Sequence, residues 1–401
     1  MQATPWESGK SGAIWGIAAD AVFDGERFVD RPTVLVSGGA IVAVGEQIPE
    51  SLREAHRVVE LAGVTVLPGL VDCHQHLCFD GVGTLDEQVS RVDDEALAVR
   101  ARASARTALL GGVTTLRDLG DRSFVTLGLR DDPELPTILA AGPPITQPLG
   151  HCWYLGGECA GPDELFAAVR ERAERGCDVV KMMVTGGALT PTFPLWKAQF
   201  GEDDVRLVVD EAHRLGLPVA AHAHGVEGIR IAVDVGVDTI EHCTFMTEEM
   251  VSAAPPELLD DLAASPTAIS ATLGRLPGAR YPPVWEEAGR RAREADGYVH
   301  RAGGAVVVGS DAGINVWKPH DVMPYAFDQL VGLGMTEAEA LRAMTAGGAD
   351  AVAASGKGRL IPGADADIVA LDGDPRVDHE AVVRIAQVWR AGLSVDRTSG
   401  T

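Results

Sequence analysis

Hydrophobic and polar positions change rhythm twice along the chain. Residues 13–49, AIWGIAADAVFDGERFVDRPTVLVSGGAIVAVGEQIP, show short alternating runs broken by Gly and Asp, the pattern of antiparallel hairpins. Residues 358–395, GRLIPGADADIVALDGDPRVDHEAVVRIAQVWRAGLSV, have the same texture. Between them, short apolar runs alternate with Ala-, Glu- and Arg-rich stretches such as DDEALAVRARASARTALLGG and EDDVRLVVDEAHRLGL, which read as helices. That alternation predicts βα units on a parallel sheet.

The apolar runs of the middle region are VTVLPGLVDCHQH, VTTLRDLG, TILAAGPPI, DVVKMMVTGG, PVAAHAHG, DTIEHCTF, TAISATLG and GAVVVGSDAG. Eight strands over about 290 residues predict an α/β fold of the (β/α)8 TIM-barrel type. The two flanking segments are then expected to fold together into a small β-sandwich domain. The division read from the sequence is 1–67 and 357–401 for the sandwich and 68–356 for the barrel.

In a barrel of this type the chemistry sits at the C-terminal ends of the strands. Those ends carry His74 and His76, Lys181, His222, His242 and Asp311. Residues two apart on a strand point to one side, so His74 and His76 can reach a single metal ion. For a lone His-x-His pair, two buried, hydrogen-bonded core histidines are the commoner outcome. Three further imidazole or carboxylate groups on separate strand ends favour the metal reading, because these are the ligands zinc and related ions prefer. Lys181 differs from them: an ammonium has no lone pair to give. It lies within the apolar run DVVKMMV, where a bare charge is costly. Either the side chain snorkels outward, or burial lowers its pKa and the neutral amine takes up CO2 to form a carbamate, a carboxylate-like group able to bridge two metals.

This ordered set resembles the amidohydrolase superfamily. LPGLVDCHQH is similar to the motif that opens that family's barrel, and GRLIPGADADIVALDGDP to its return into the small β domain. VVKMMVTGG, GLPVAAHAHG, GVDTIEHCTF and GSDAG resemble the branch of imidazolonepropionase-like proteins and metal-dependent prolidases and carboxypeptidases. The resemblance runs from about residue 14 to about residue 393. It implies two divalent ions, zinc first among them. His74, His76 and Asp311 would hold the buried ion and His222 and His242 the outer one, with N6-carboxylysine at Lys181 and a hydroxide bridging them. Asp311 would shuttle the proton to the leaving nitrogen, and Lys181 and Asp311 are the catalytic residues it implies. The reaction implied is hydrolysis of the C–N bond of a small amide, such as an N-acyl amino acid or a dipeptide.

Other residues are candidates for substrate contact. His224, in HAHG, shares a strand face with His222; the family pattern leaves it as a support or a substrate-facing group. His151, in PLGHCWYLGG, resembles a substrate-contacting histidine, and Trp153 and Tyr154 beside it line the same pocket or pack the loop. Phe193, Trp196 and Phe200 lie where a lid would sit. Lys318 and His320, in INVWKPHD, occupy a second such loop. Three alternatives stay open: a lactone, carbamate or cyclic-amide hydrolase, a mononuclear deaminase, and a catalytically inactive binding barrel. The deaminase is disfavoured by Lys181 and by the absence of a His-x-x-Glu motif.

Composition narrows the partners. The chain has 401 residues and a formal net charge of −24, which opposes binding to phosphate backbones and anionic membrane surfaces. The partner expected is a small-molecule substrate, with no nucleic acid and no membrane, and a homo-oligomer stays open. Six scattered cysteines without CxxC spacing read as reduced thiols. The N-terminus, MQATPWESGKSG, has no basic and apolar leader, so a cytoplasmic location is the default expectation. SGKSG lacks the upstream glycine and strand of a phosphate loop.

Overall fold

The computed structural model describes residues 13–29, 33–45, 47–55, 57–190 and 192–397; the N-terminal stretch read above for a leader and a phosphate loop lies outside these. All eight apolar runs of the middle region contain a strand. In chain order the parallel strands are Leu70–Gln75, Val113–Asp118, Thr137–Ala140, Val180–Met183, Val219–Gly225, Thr239–Met246, Ala268–Ala271 and Val306–Val308. The first three form one parallel sheet and the last five another, each in sequence order. Parallel bridges link the two: Ile145 with Met182 past the third strand, and Gln75 with Ala312 past the eighth. Most of these strands are buried throughout, consistent with parallel strands covered by helices.

The helices between the strands follow ordinary end rules. Asp94–Leu110 is capped by the Asp93 carboxylate, which accepts from Ala96 N at 2.9 Å. Glu202–Arg214 begins with Glu202, Asp203 and Asp204 and ends with His213 and Arg214, matching the helix dipole at both ends. No helix among the described residues is long and apolar enough to cross a membrane.

Strands from the two chain ends share one sheet. Trp15–Phe23 runs parallel to Val58–Pro68, which in turn pairs antiparallel with Ile368–Asp372. One difference from the sequence reading stands out: these strands form a single eight-stranded mixed sheet rather than two separately bonded layers. The cause is Val58–Pro68, an eleven-residue strand long enough to pair with both halves. Trp15, Ile17, Val34, Val36, Ile368 and Trp389 pack in its core. The run VTVLPGLVDCHQH therefore splits between this sheet and the first parallel strand. Gly69 makes the joint, for a Cβ there would lie 1.9 Å from Thr114 Oγ1.

Candidate metal centre

His74 lies within the first parallel strand and His76 just after it. Both are buried, and their Nε2 atoms stand 3.1 Å apart. Asp311 joins them from the far end of the chain. It follows the eighth strand with φ 55°, its N–H donates to His74 O at 2.7 Å, and its Oδ1 lies 3.4 Å from His74 Nε2 and 3.3 Å from His76 Nε2. This close approach depends on Gly309, where a Cβ would meet the Cβ of His74 at 2.4 Å.

The back of His74 is held by residues the sequence reading passed over. Its Nδ1 is 2.9 Å from Glu241 Oε2, and Glu241 also accepts from Arg117 Nη2 at 2.8 Å and Thr239 Oγ1 at 2.7 Å, all four side chains being buried. Burial alone would push the Glu241 carboxyl up, but Arg117 and His74 outweigh it and hold it well below the usual range. An ionised carboxylate can only accept, so His74 donates from Nδ1 and keeps a lone pair on Nε2. That lone pair and Asp311 Oδ1 face each other across 3.4 Å, an arrangement of acceptors that a cation reconciles. The signal was present in the sequence: a Glu in DTIEH and an Arg in VTTLRD are charges inside apolar strands.

A second group forms opposite. His222, His224 and His242 bring one ring nitrogen each within 4.8 Å of one another. His222 Nε2 donates to Gly186 O at 3.0 Å, which leaves its Nδ1 lone pair free. His242 Nδ1 lies 3.1 Å from Thr272 Oγ1, and His224 Nδ1 lies 2.8 Å from Thr244 Oγ1. Burial first, then the neighbouring imidazoles and Lys181, hold His222 and His242 well below the ordinary range, so both rings are neutral and able to ligate. His242, Cys243 and Phe245 all have left-handed backbones, a strain of about 1–3 kcal/mol per residue that concentrates at functional sites.

Lys181 is buried, and its Nζ has no hydrogen-bond partner among the described residues. Burial lowers it to about 8. It lines the same cavity, of about 440 Å³, as both histidine groups and Asp311, a volume suited to a small ligand.

Of the substrate-contact candidates, His151 and His224 line this cavity. His151 Nδ1 lies 2.8 Å from Thr190 Oγ1, with its ring 4.5 Å from that of His222. Six candidates fall elsewhere, Phe193 and Phe200 of the lid segment among them. His320 has Nε2 2.9 Å from Phe79 O and Nδ1 3.2 Å from Gln75 Oε1, so its ring is turned into the scaffold and donates to one of them. Trp153 and Tyr154 belong to the short turn Trp153–Leu155, with the Tyr154 hydroxyl directed at Cys152 Sγ. Trp196 packs with Leu195 and Met246. From that lid segment Ala188 and Leu189 line the cavity instead. Lys318 lines it too, but its Nζ donates to Ser310 O at 2.6 Å and Thr272 O at 3.0 Å.

Residues 65–395 match the amidohydrolase family, so the chain belongs to that family and is a hydrolase acting on C–N bonds. The family is metal-dependent. Ochratoxinase from Aspergillus niger is 27% identical over 425 residues, covering 92% of this chain and 83% of the relative. Imidazolonepropionase from Streptomyces coelicolor is 30% identical over 392 residues, covering 90% and 91%. The crystal structure of a Xaa-Pro dipeptidase with bound methionine in its active site superposes with a TM-score of 0.82 at 27% identity, covering 95% of this chain and 99% of that one.

Proposed function

We propose that the protein is a binuclear metal-dependent hydrolase of small amides, of the N-acyl amino acid or dipeptide type. The observation that carries this is the position of Lys181: a buried amine without a partner, lining one cavity with two clusters of metal-ligating side chains. The donor set fits divalent ions, zinc first, with His74, His76 and Asp311 around one and His222 and His242 around the other. Lys181 fits as the bridge: its neutral amine adds to CO2 and releases a proton, giving N6-carboxylysine. We also infer that the two parallel sheets close into one (β/α)8 barrel, a reading supported by the bridges at both of their seams.

Bound divalent ions supply an activated water and polarise the scissile carbonyl. Asp311 accepts the proton of the attacking water at a carboxylate oxygen and returns it to the leaving nitrogen. Although burial would push it up, Asp311 is held below the usual carboxylate range, the Lys318 ammonium being among the charges that favour its ionised form, so the carboxylate can accept. His151 and His224 face the substrate from the cavity wall. A hydrolysis screen of the zinc-loaded protein against N-acyl amino acids, Xaa-Pro dipeptides, lactones and cyclic imides tests this reading. Turnover of amides or dipeptides is the expected result, and turnover of lactones alone would overturn the amide assignment.

A further inference from the structure

The cavity wall away from the histidines is unusually cationic for so acidic a chain. Arg275 follows the seventh parallel strand, and Arg293 lies on the helix Pro283–Arg301; both line the cavity, as does Lys318, and besides Asp311 the carboxylate lining it is Glu286. Glu286 is already engaged. Both of its oxygens accept from Arg275 Nη1, at 3.0 and 3.2 Å, and Oε1 also accepts from Tyr281 N at 3.2 Å.

Arg293 is left over. It is half-buried and, although Glu286 lies close enough to act on its charge, among the described residues it makes no direct hydrogen bond and no ion pair. Its guanidinium lies against Gly289, another residue of the cavity wall, where a Cβ would come within 3.3 Å of Nη1. The nearby Asp296, on the same helix, does not neutralise it, because burial pushes that carboxyl up to about 8 and keeps it protonated near neutral pH. A partly desolvated guanidinium with no acceptor is costly, and its planar fork is matched to a carboxylate.

We propose that Arg293, supported by Arg275, is a carboxylate-binding subsite, so that the amide hydrolysed bears an anionic group away from its scissile bond. This rests on the hydrolytic reading above. The local positive charge also offsets, at the site, the repulsion that a chain of net charge −24 exerts on an anion. The carboxylate can be the C-terminal one of a dipeptide or that of an acidic side chain.

The test compares kcat/KM of the zinc-loaded protein for two pairs: Ala-Glu against Ala-Gln, and Ala-Gln against its C-terminal amide. A charge-assisted contact predicts a preference of about 10-fold to 100-fold for the anion in at least one pair, and the pair that responds identifies the source of the carboxylate. Arg293→Met should collapse that preference, Arg293→Lys should keep part of it, and the surface control Arg206→Gln should leave it intact. Equal rates within both pairs, or a preference that survives Arg293→Met, would overturn the subsite while leaving the hydrolase reading in place. If no amide is turned over, the hydrolase reading fails by itself. Thermal stabilisation by glutarate then decides the subsite: a shift present in the parent and absent in Arg293→Met supports it, and an equal shift or none in both contradicts it.

Discussion

The two histidine groups are built on different supports. Behind His74 runs a buried ionic chain, Arg117 to Glu241 to Nδ1. Behind His222 and His242, among the described residues, stand a peptide carbonyl and a threonine hydroxyl. A carboxylate behind an imidazole raises its basicity and fixes its tautomer more firmly than a neutral group does. The difference teaches that the centre should hold its ions unequally, tightly at His74, His76 and Asp311 and more loosely at His222 and His242.

Glu241→Gln should have the largest effect, because it strands Arg117 as a buried cation. A loss of about 3–5 kcal/mol in urea denaturation is expected, together with a drop of about 10-fold to 100-fold in affinity at the tighter site. Stability within 1 kcal/mol of the parent, a threshold near the ~1 kcal/mol of a single ordinary hydrogen bond, would break the contrast.

Thr272→Val should act more gently. Chelator titration of the parent is expected to remove the ions in two steps, and this variant should shift the weaker step alone, by about 10-fold or less. A shift of both steps would show that the two supports do not act separately.

The smallest effect concerns a second buried carboxyl. Unlike Glu241, Asp296 makes no hydrogen bond or ion pair among the described residues, and burial pushes it up from 3.8 to about 8. The folded chain then holds a proton that the unfolded chain releases, so this group's contribution to stability falls as pH rises from about 4 towards about 8. Asp296→Asn should flatten that slope, on the order of 1 kcal/mol per pH unit across this window, read from denaturation curves at several pH values. An unchanged slope would place the ionised carboxylate in a solvated or paired environment.

The parts of this centre that could be read from the sequence are those whose chemistry is rare in apolar strands. Two histidines spaced by the strand period, a lysine inside DVVKMMV and an aspartate after VVVGS each contradict their surroundings. The eight-strand rhythm was equally legible, since each strand is a short apolar run followed by a helical pattern. Glu241 was hidden by its neighbour, because adjacent strand residues face opposite ways and His242 drew the attention. Thr272, Thr244 and Gly186 carry no signal of their own; they matter only once distant strand ends are brought together. The same holds for Arg275 and Arg293, ordinary charges until one cavity joins them. His320 misled for the converse reason: it lies in a loop near the site, but Gln75 and Phe79 turn its ring into the scaffold. The continuous mixed sheet escaped prediction because strand pairing at the two chain ends depends on the length of one shared strand.

The central claim is that Lys181 joins the two groups into one binuclear centre. Its most direct test is metal content per chain, measured on the zinc-loaded parent and on Lys181→Ala in parallel, with amide hydrolysis assayed on the same samples. About two ions are expected in the parent, and in the variant fewer ions with activity lower by about 100-fold or more, both recovering in part when a short-chain carboxylic acid is added to replace the missing bridge. Two ions and full activity in Lys181→Ala would contradict that claim.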